Sequence, residues 1–219
     1  MVLDRLEGNQ APIIDDITVA ADHIGKLKAY HKLLLKWSEK ISIISDPLDW
    51  PSFWNRHVMD SMQLIPLLKS HLHGGKIADL GSGAGLPGMI LSIFEIGNVC
   101  LIERDIRKAA FLQAVAAELN LQVQIFADDV RKLQDKYEVI VSRAVASVDY
   151  ILTLSEHIRN KDSVVVLLKS KKQSERELSE AYKTYDFQAH KHSSISSEEG
   201  LVLKLTDIKE VVCLQNSVM

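Results

Sequence analysis

Cysteine is scarce: the 219-residue chain has two, Cys100 and Cys213, too far apart in sequence for a CxxC pair and too few for a disulfide framework. Both read as small core side chains. Long apolar runs are missing as well, since no segment approaches the roughly 18 consecutive apolar residues of a membrane span. The opening MVLDRLEGNQ carries acids where a secretory leader needs an apolar stretch, so the expected location is the cytoplasm. Nor is there a surplus of positive charge. With 26 Lys and Arg against 29 Asp and Glu the formal net charge is -3, which excludes coating of nucleic acid through bulk charge but leaves room for a local basic patch. His71-x-His73 and His190-x-His192 have no further Cys or acid at ligand spacing, so no metal site is expected.

What is present is an ordinary globular composition, 47% apolar and 25% charged, enough for one catalytic domain with a modest extension. From about Asp15 to Leu68 the pattern is helical: Ile24, Leu27, Leu34, Trp37 and Ile41 recur at spacings of three, four and seven, the stripe one buried helix face requires. This predicts a helical cap over residues 1–72, packed as one compact unit with a second part over 73–219. After Gly74-Gly75 short β-like runs alternate with amphipathic helical stretches, as parallel strands with crossover helices do. The runs are 76–80, 98–103, 122–127, 138–142 and 164–168, with helical patterns at 105–119, 145–158 and 172–183, and five β-α units fit the series. Beyond Lys183, YDFQAHKH and LVLKLTDIKEVVCL read as two further strands. The polar SSISSEEG between them cannot form a crossover helix, so an antiparallel hairpin at the sheet edge is expected.

The strongest motif is KIADLGSGAGLPG at 76–88, an apolar strand ending in an acid, then Gly81, Gly83, Gly85 and Gly88 before the helix-like MILSIF. Such a loop lets backbone approach a nucleotide-like ligand at a helix N-terminus. Residues 83–88 also satisfy GxGxxG, the dinucleotide fingerprint, and Glu103 at the end of the second strand suits a ribose of either NAD or S-adenosylmethionine. Asp79 favours the latter, because an acid just before the first glycine suits a sulfonium and an ammonium and sits awkwardly near a pyrophosphate. Asp129 and Val130, after the third strand, offer a carboxylate and an apolar side chain for an adenine. The plainer alternative makes Asp79, Glu103 and Asp129 helix N-caps. A parallel α/β sheet ending in a hairpin suits a class I, Rossmann-like S-adenosylmethionine-dependent methyltransferase better than a dehydrogenase, although an NAD-linked oxidoreductase stays open.

At this point the residues resemble a family, the small-subunit ribosomal RNA guanine-N7 methyltransferase G, also called glucose-inhibited division protein B. The resemblance runs from LLLKWSEKISII (33–44) through RHVMDS (56–61), DLGSGAGLPG (79–88), KAAFL (108–112), SRA (142–144) and LLKS (167–170) to LVLKL (201–205). It implies a mostly parallel seven-stranded sheet, S-adenosylmethionine as methyl donor, and N7 of one guanine of 16S rRNA as acceptor, conventionally guanine 527 of the decoding-region hairpin. The family's donor contacts fall on Gly81, Leu86, Asp129, Val130 and Arg143, with Glu103 where the family has an acid after its second strand. The implied partner is 16S rRNA in the small ribosomal subunit or an assembly intermediate, met by a monomer. The chain departs from the family's pattern at Ile41-Ser42-Ile43-Ile44, at Ser170 in place of glycine, and at Glu199-Gly200.

Guanine N7 carries a free lone pair, so its methylation needs no base, and none is expected; orientation is the main requirement. The chain has no Pro-Pro, and so no Asn/Asp-Pro-Pro-aromatic loop of the exocyclic-amine methyltransferases, and neither cysteine stands in a plausible nucleophile loop. Arg143, at the C-terminal end of the fourth strand, is expected to position the donor, a phosphate or the guanine edge. Lys169 and Lys171 are expected at RNA phosphates. Arg56 and His57 lie in a helical polar cluster with Asp60 and Ser61, read either as a cap-to-domain joint or as an RNA contact. Another RNA base or a small molecule as acceptor, or an idle donor-binding partner of the ribosome, remain alternatives.

Overall fold

The computed structural model describes residues 13–14, 17–44, 49–143 and 146–211. Seven strands form the main sheet: β1 (Lys76–Leu80), β2 (Asn98–Ile102), β3 (Gln124–Phe126), β4 (Tyr137–Arg143), β5 (Arg159–Ser170), β6 (Tyr185–Ser193) and β7 (Gly200–Glu210). Their spatial order is β3-β2-β1-β4-β5-β7-β6. The first five run parallel, while β7 pairs antiparallel with both β5 and β6. The expected hairpin is therefore formed, and the reversal it brings places its connecting residues beside the C-terminal ends of the parallel strands.

The apolar runs become strands because both faces of the sheet are covered. In β1 and β2 only the first residue is exposed and the other four are buried. One face is covered by α1 (Ala21–Ser38), α5 (Gly88–Ile93) and α6 (Ile106–Glu118) through Leu27, Tyr30, Met89, Phe111 and Val115. The other is covered by α7 (Val148–Ser155) and α8 (Lys171–Ala181) through Ile151, Leu152, Leu178 and Ala181. Residues of the expected cap and of the sheet share one apolar cluster, in which Leu34, Phe53 and Trp54 pack with Ile77, Val139 and Val166.

Three expectations need correction. The third crossover has no helix: a single 3-10 turn, Val130–Lys132, is all that separates β3 from β4. Strand β5 runs from Arg159 rather than from Val164, because its charged first half continues past the core into solvent. The cap is not one continuous helical stretch. α1 ends at Ser38, short of Ile41. A second helical run follows as α2 (Trp50–Phe53), a π-helical turn (Trp54–Val58) and α3 (Met59–Met62), and then α4 (Ile65–Lys69). The π turn adds a residue to the inward arc, so that Trp54, His57 and Val58 are all buried while Arg56 stays exposed. The N-terminal residues 1–12, residues 45–48, Ala144 and the tail with Cys213 lie outside the described residues.

Candidate active site

The ends of the parallel strands are stitched together by their loops. The amides of Gly81 and Ser82 both donate to the Ile102 carbonyl, at 3.0 and 3.1 Å, and the Glu103 amide donates to that of Phe126 at 3.1 Å. Ser142 Oγ donates to the Leu80 carbonyl at 2.9 Å. Tyr30 of α1 donates its hydroxyl to the Ala84 carbonyl, which ties the cap to the glycine loop. On this scaffold open two cavities.

The first has a volume of about 660 Å³. Its floor is Leu80, Gly81, Gly83, Ile102 and Glu103, one wall is Asp128 to Arg131, and the other is Ala146, Ser147, Tyr150 and Leu154. Glu103 is 8% exposed, and its two oxygens accept from the Gly83 amide and the Asp105 amide, each at 2.8 Å. It is thus no helix cap; Asp105 caps α6 through Arg107 N at 2.9 Å. Asp129 does cap, accepting from Arg131 N at 3.0 Å at the start of the 3-10 turn, while also facing the cavity. Gly83 has φ +54°, and a Cβ there would meet only the Gly81 carbonyl, at 3.8 Å. The backbone is bare where a ligand would press against it.

Beneath the loop lies Asp79, wholly buried. Its Oδ2 accepts from the Gly88 amide at 3.0 Å, and its Oδ1 has no hydrogen-bond partner among the described residues. Burial pushes its carboxyl up to about 7. A carboxylate with one oxygen left over in so dry a place is unfavourable unless a cation meets it. The other glycines serve packing: a Cβ on Gly88 would fall 2.4 Å from Leu101 Cδ2, and one on Gly85 2.9 Å from Leu112 Cδ2.

The second cavity, about 700 Å³, adjoins the first and shares Ala146 with it. Arg56, His57 and Asp60 come from the cap, Arg143 from the end of β4, Lys169 and Ser170 from β5, Ser196 and Ser197 from the hairpin connection, and Gly200 from the start of β7. Arg143 Nη1 donates to His57 Nδ1 at 2.8 Å and to the Arg56 carbonyl at 3.3 Å, and lies 3.6 Å from Asp60 Oδ2. His57, desolvated and beside the Arg143 and Arg56 guanidinium groups, is held down to about 3 and is neutral. Its Nδ1 therefore accepts, which puts the proton on Nε2.

The structure brings Gly81, Gly83, Glu103, Asp129 and Val130 together around the first cavity, with Asp79 below. It does not bring Gly85, Leu86 or Arg143 there. Gly85 and Leu86 face the core, Leu86 at 4% exposure, with Gly85 set against Leu112, Met89 and the Tyr30 hydroxyl. Arg143 lines the second cavity instead, since the neutral imidazole and the Asp60 carboxylate draw its guanidinium toward the cap. Lys169 also departs from expectation. Its side chain is 7% exposed, it pairs with Glu177 Oε2 at 2.8 Å and it donates to the Ala146 carbonyl, so it braces the segment between the cavities rather than meeting solvent. Lys171 is exposed, on the Glu198 carbonyl. Sequence reasoning missed Lys108 and Tyr150 at the first cavity and Ser196 at the second. Among the described residues no group of three His, Cys, Asp or Glu side chains could hold a metal, and no helix is long and apolar enough to cross a membrane.

A seven-stranded sheet of this order, with a cavity over its glycine loop that carries Glu103 and Asp129 at successive strand ends, defines the class: a class I methyltransferase fold. Magnesium protoporphyrin IX methyltransferase from Synechocystis PCC 6803, solved with bound SAM, superposes with a TM-score of 0.56 at 13% identity over 86% of this chain and 98% of that one. The tRNA (m1A58) methyltransferase of Aquifex aeolicus gives a TM-score of 0.53 at 13% identity, covering 81% of this chain and 75% of its own. The family model for rRNA small subunit methyltransferase G matches residues 23–205. Ribosomal RNA small subunit methyltransferase G of Orientia tsutsugamushi (strain Ikeda) is 35% identical over 189 residues, 85% of this chain and 92% of that protein. Its counterpart in Rickettsia rickettsii (strain Sheila Smith) is 34% identical over 195 residues, 89% of this chain and 99% of that protein. The chain belongs to the rRNA small subunit methyltransferase G family.

Proposed function

We propose that the protein transfers the methyl group of S-adenosylmethionine to N7 of a guanine in 16S rRNA, working as a cytoplasmic monomer on the small ribosomal subunit or its assembly intermediate. The observation that carries this reading is the pair of adjoining cavities at the strand ends, one over a bare glycine loop with Glu103 and Asp129 at its edge and the other built around Arg143, meeting at Ala146. The first is the donor site and the second receives the base.

The donor supplies an electrophilic methyl on a sulfonium. Glu103 accepts from its ribose hydroxyls, Asp129 and Val130 flank its adenine, and the unpartnered Oδ1 of Asp79 answers its positive charge. Gly81 and Gly83 let the backbone close on it. Arg143, pinned by His57, orients the acceptor. His57, with its Nδ1 lone pair taken up by Arg143 and its basicity held down to about 3, is a poor base, and guanine N7 asks for none, so rate comes from holding nucleophile and methyl in line.

The test is transfer of tritiated methyl to unmodified 16S rRNA and to small subunits from cells lacking this modification. The product is 7-methylguanosine at one position, read as strand scission after borohydride and aniline followed by primer extension. Label on another atom, or none on rRNA, overturns the assignment.

A further inference from the structure

Asp60 divides its carboxylate between two tasks. Oδ1 accepts from Gln63 Nε2 at 2.8 Å and from Ser196 Oγ at 2.7 Å, which anchors the hairpin connection to the cap. Among the described residues Oδ2 keeps only the long 3.6 Å ion pair with Arg143. Arg143 is divided in the same way: Nη1 is committed to His57 and the Arg56 carbonyl, and Nε and Nη2 donate in no hydrogen bond among the described residues. The two side chains are 18% and 21% exposed and line a cavity large enough for a base. A donor with free N–H groups thus stands beside an acceptor with free lone pairs, both largely desolvated, where a matched ligand gains most.

We propose that Arg143 and Asp60 together read the O6 and N1–H of the target guanine, Arg143 donating to O6 and Asp60 Oδ2 accepting from N1–H; this rests on the second cavity being the acceptor site. Guanine presents an acceptor next to a donor on that edge, and adenine presents the reverse. The common arginine fork onto O6 and N7 is excluded for this chemistry, because it would occupy the lone pair that attacks the methyl. Reading O6 and N1–H leaves N7 unengaged. The same carboxylate favours the positive charge that the purine acquires on methylation. The exocyclic N2 amine plays no part in this scheme, which makes it falsifiable with base analogues.

The experiment uses full-length enzyme and 16S rRNA assembled by splinted ligation, with guanosine, inosine or 2,6-diaminopurine riboside at the target. Inosine keeps O6 and N1–H and lacks the amine; 2,6-diaminopurine keeps the amine and reverses the edge. Wild-type kcat/KM for inosine is expected within about threefold of guanosine, and for 2,6-diaminopurine at least about a hundredfold lower, since a site built to hydrogen-bond rejects a mismatched partner strongly. In Asp60→Asn the amide oxygen stays with Gln63 and Ser196 and a donor replaces Oδ2. The guanosine to 2,6-diaminopurine ratio should then fall at least about tenfold, with donor affinity within about twofold of wild type. Ser196→Ala, which disturbs only the Oδ1 side, keeps the ratio within about twofold even if rates drop. Equal losses on all three bases in Asp60→Asn, or rejection of inosine by wild type, overturn the pairing. Failure of wild type to methylate the guanosine rRNA overturns the proposed function instead.

Discussion

Asp79→Asn isolates the cost of the buried acid. In the folded protein without donor the carboxyl titrates near 7 against 3.8 for an unburied Asp, with desolvation the largest cause and the Gly88 hydrogen bond opposing it. A folded value above the unfolded one means that the native state binds the extra proton. Stability is therefore lost as pH rises from about 3.8 through about 7, and the full penalty stands above 7. The interval corresponds to about 4 kcal/mol at 1.36 kcal/mol per pH unit. Asn keeps the Gly88 bond through its oxygen and leaves an amide N–H pair in place of Oδ1, which returns roughly 1–3 kcal/mol of that. The variant should thus be more stable than wild type by about 1–3 kcal/mol at pH 8.5, a rise in melting temperature of roughly 3–9 °C for a chain of this size. The gain should fade toward pH 4, where the wild-type carboxyl is protonated. Scanning calorimetry across pH 4–8.5 measures it, and titration with S-adenosylmethionine should show weaker binding by the stabilised variant. An Asp79→Asn variant that melts below wild type at pH 8.5, or one whose advantage is the same at every pH, would refute the reasoning.

Glu103→Ala should leave a folded protein whose affinity for S-adenosylmethionine drops about ten- to a hundredfold, through lost hydrogen bonds to a charged acceptor and a freed Gly83 amide; unchanged affinity by calorimetry would contradict the ribose role. Gly83→Val should abolish donor binding, because the side chain fills the open space over the loop and φ +54° suits no β-branched residue; retention of the parental rate would mean that the loop does not cradle the donor. Lys171→Ala should lower the salt slope of rRNA binding by about one, as loss of one phosphate contact does. Lys169→Ala should leave that slope alone and instead destabilise the fold by about 3 kcal/mol, since it strands Glu177 in a largely buried place; a slope change with intact stability would restore Lys169 to the RNA side.

The sheet was legible because its strands are buried on both faces and so read as unbroken apolar runs: Lys76–Leu80 falls where the sequence puts it. Strand ends were less so, since Arg159 is held by pairing with Tyr137 and Asn160 to Asp162 are exposed, so that they leave no hydrophobic trace. The missing third crossover helix escaped notice because a 3-10 turn with Asp129 as its cap looks locally like a helix start. Of the site, the acids and glycines of the first cavity were readable from their place after each strand. The lean of Arg143 toward His57 was not, for it depends on a π turn that rotates the imidazole inward, and π turns have no periodicity to find. Nor does sequence say that Lys169 meets Glu177, two turns of α8 away, rather than water.

The two cavities cannot form at the same moment of synthesis. The first draws its lining from residues 80–154, whereas the second also needs the Ser196 hydroxyl on Asp60 and the Ile195 amide on Gln63, partners 136 and 132 residues apart in the chain. A ribosome making this protein has therefore released most of it before the substrate-facing half can close, because Asp60 and Gln63 must wait for Ser196 and Ile195 to emerge.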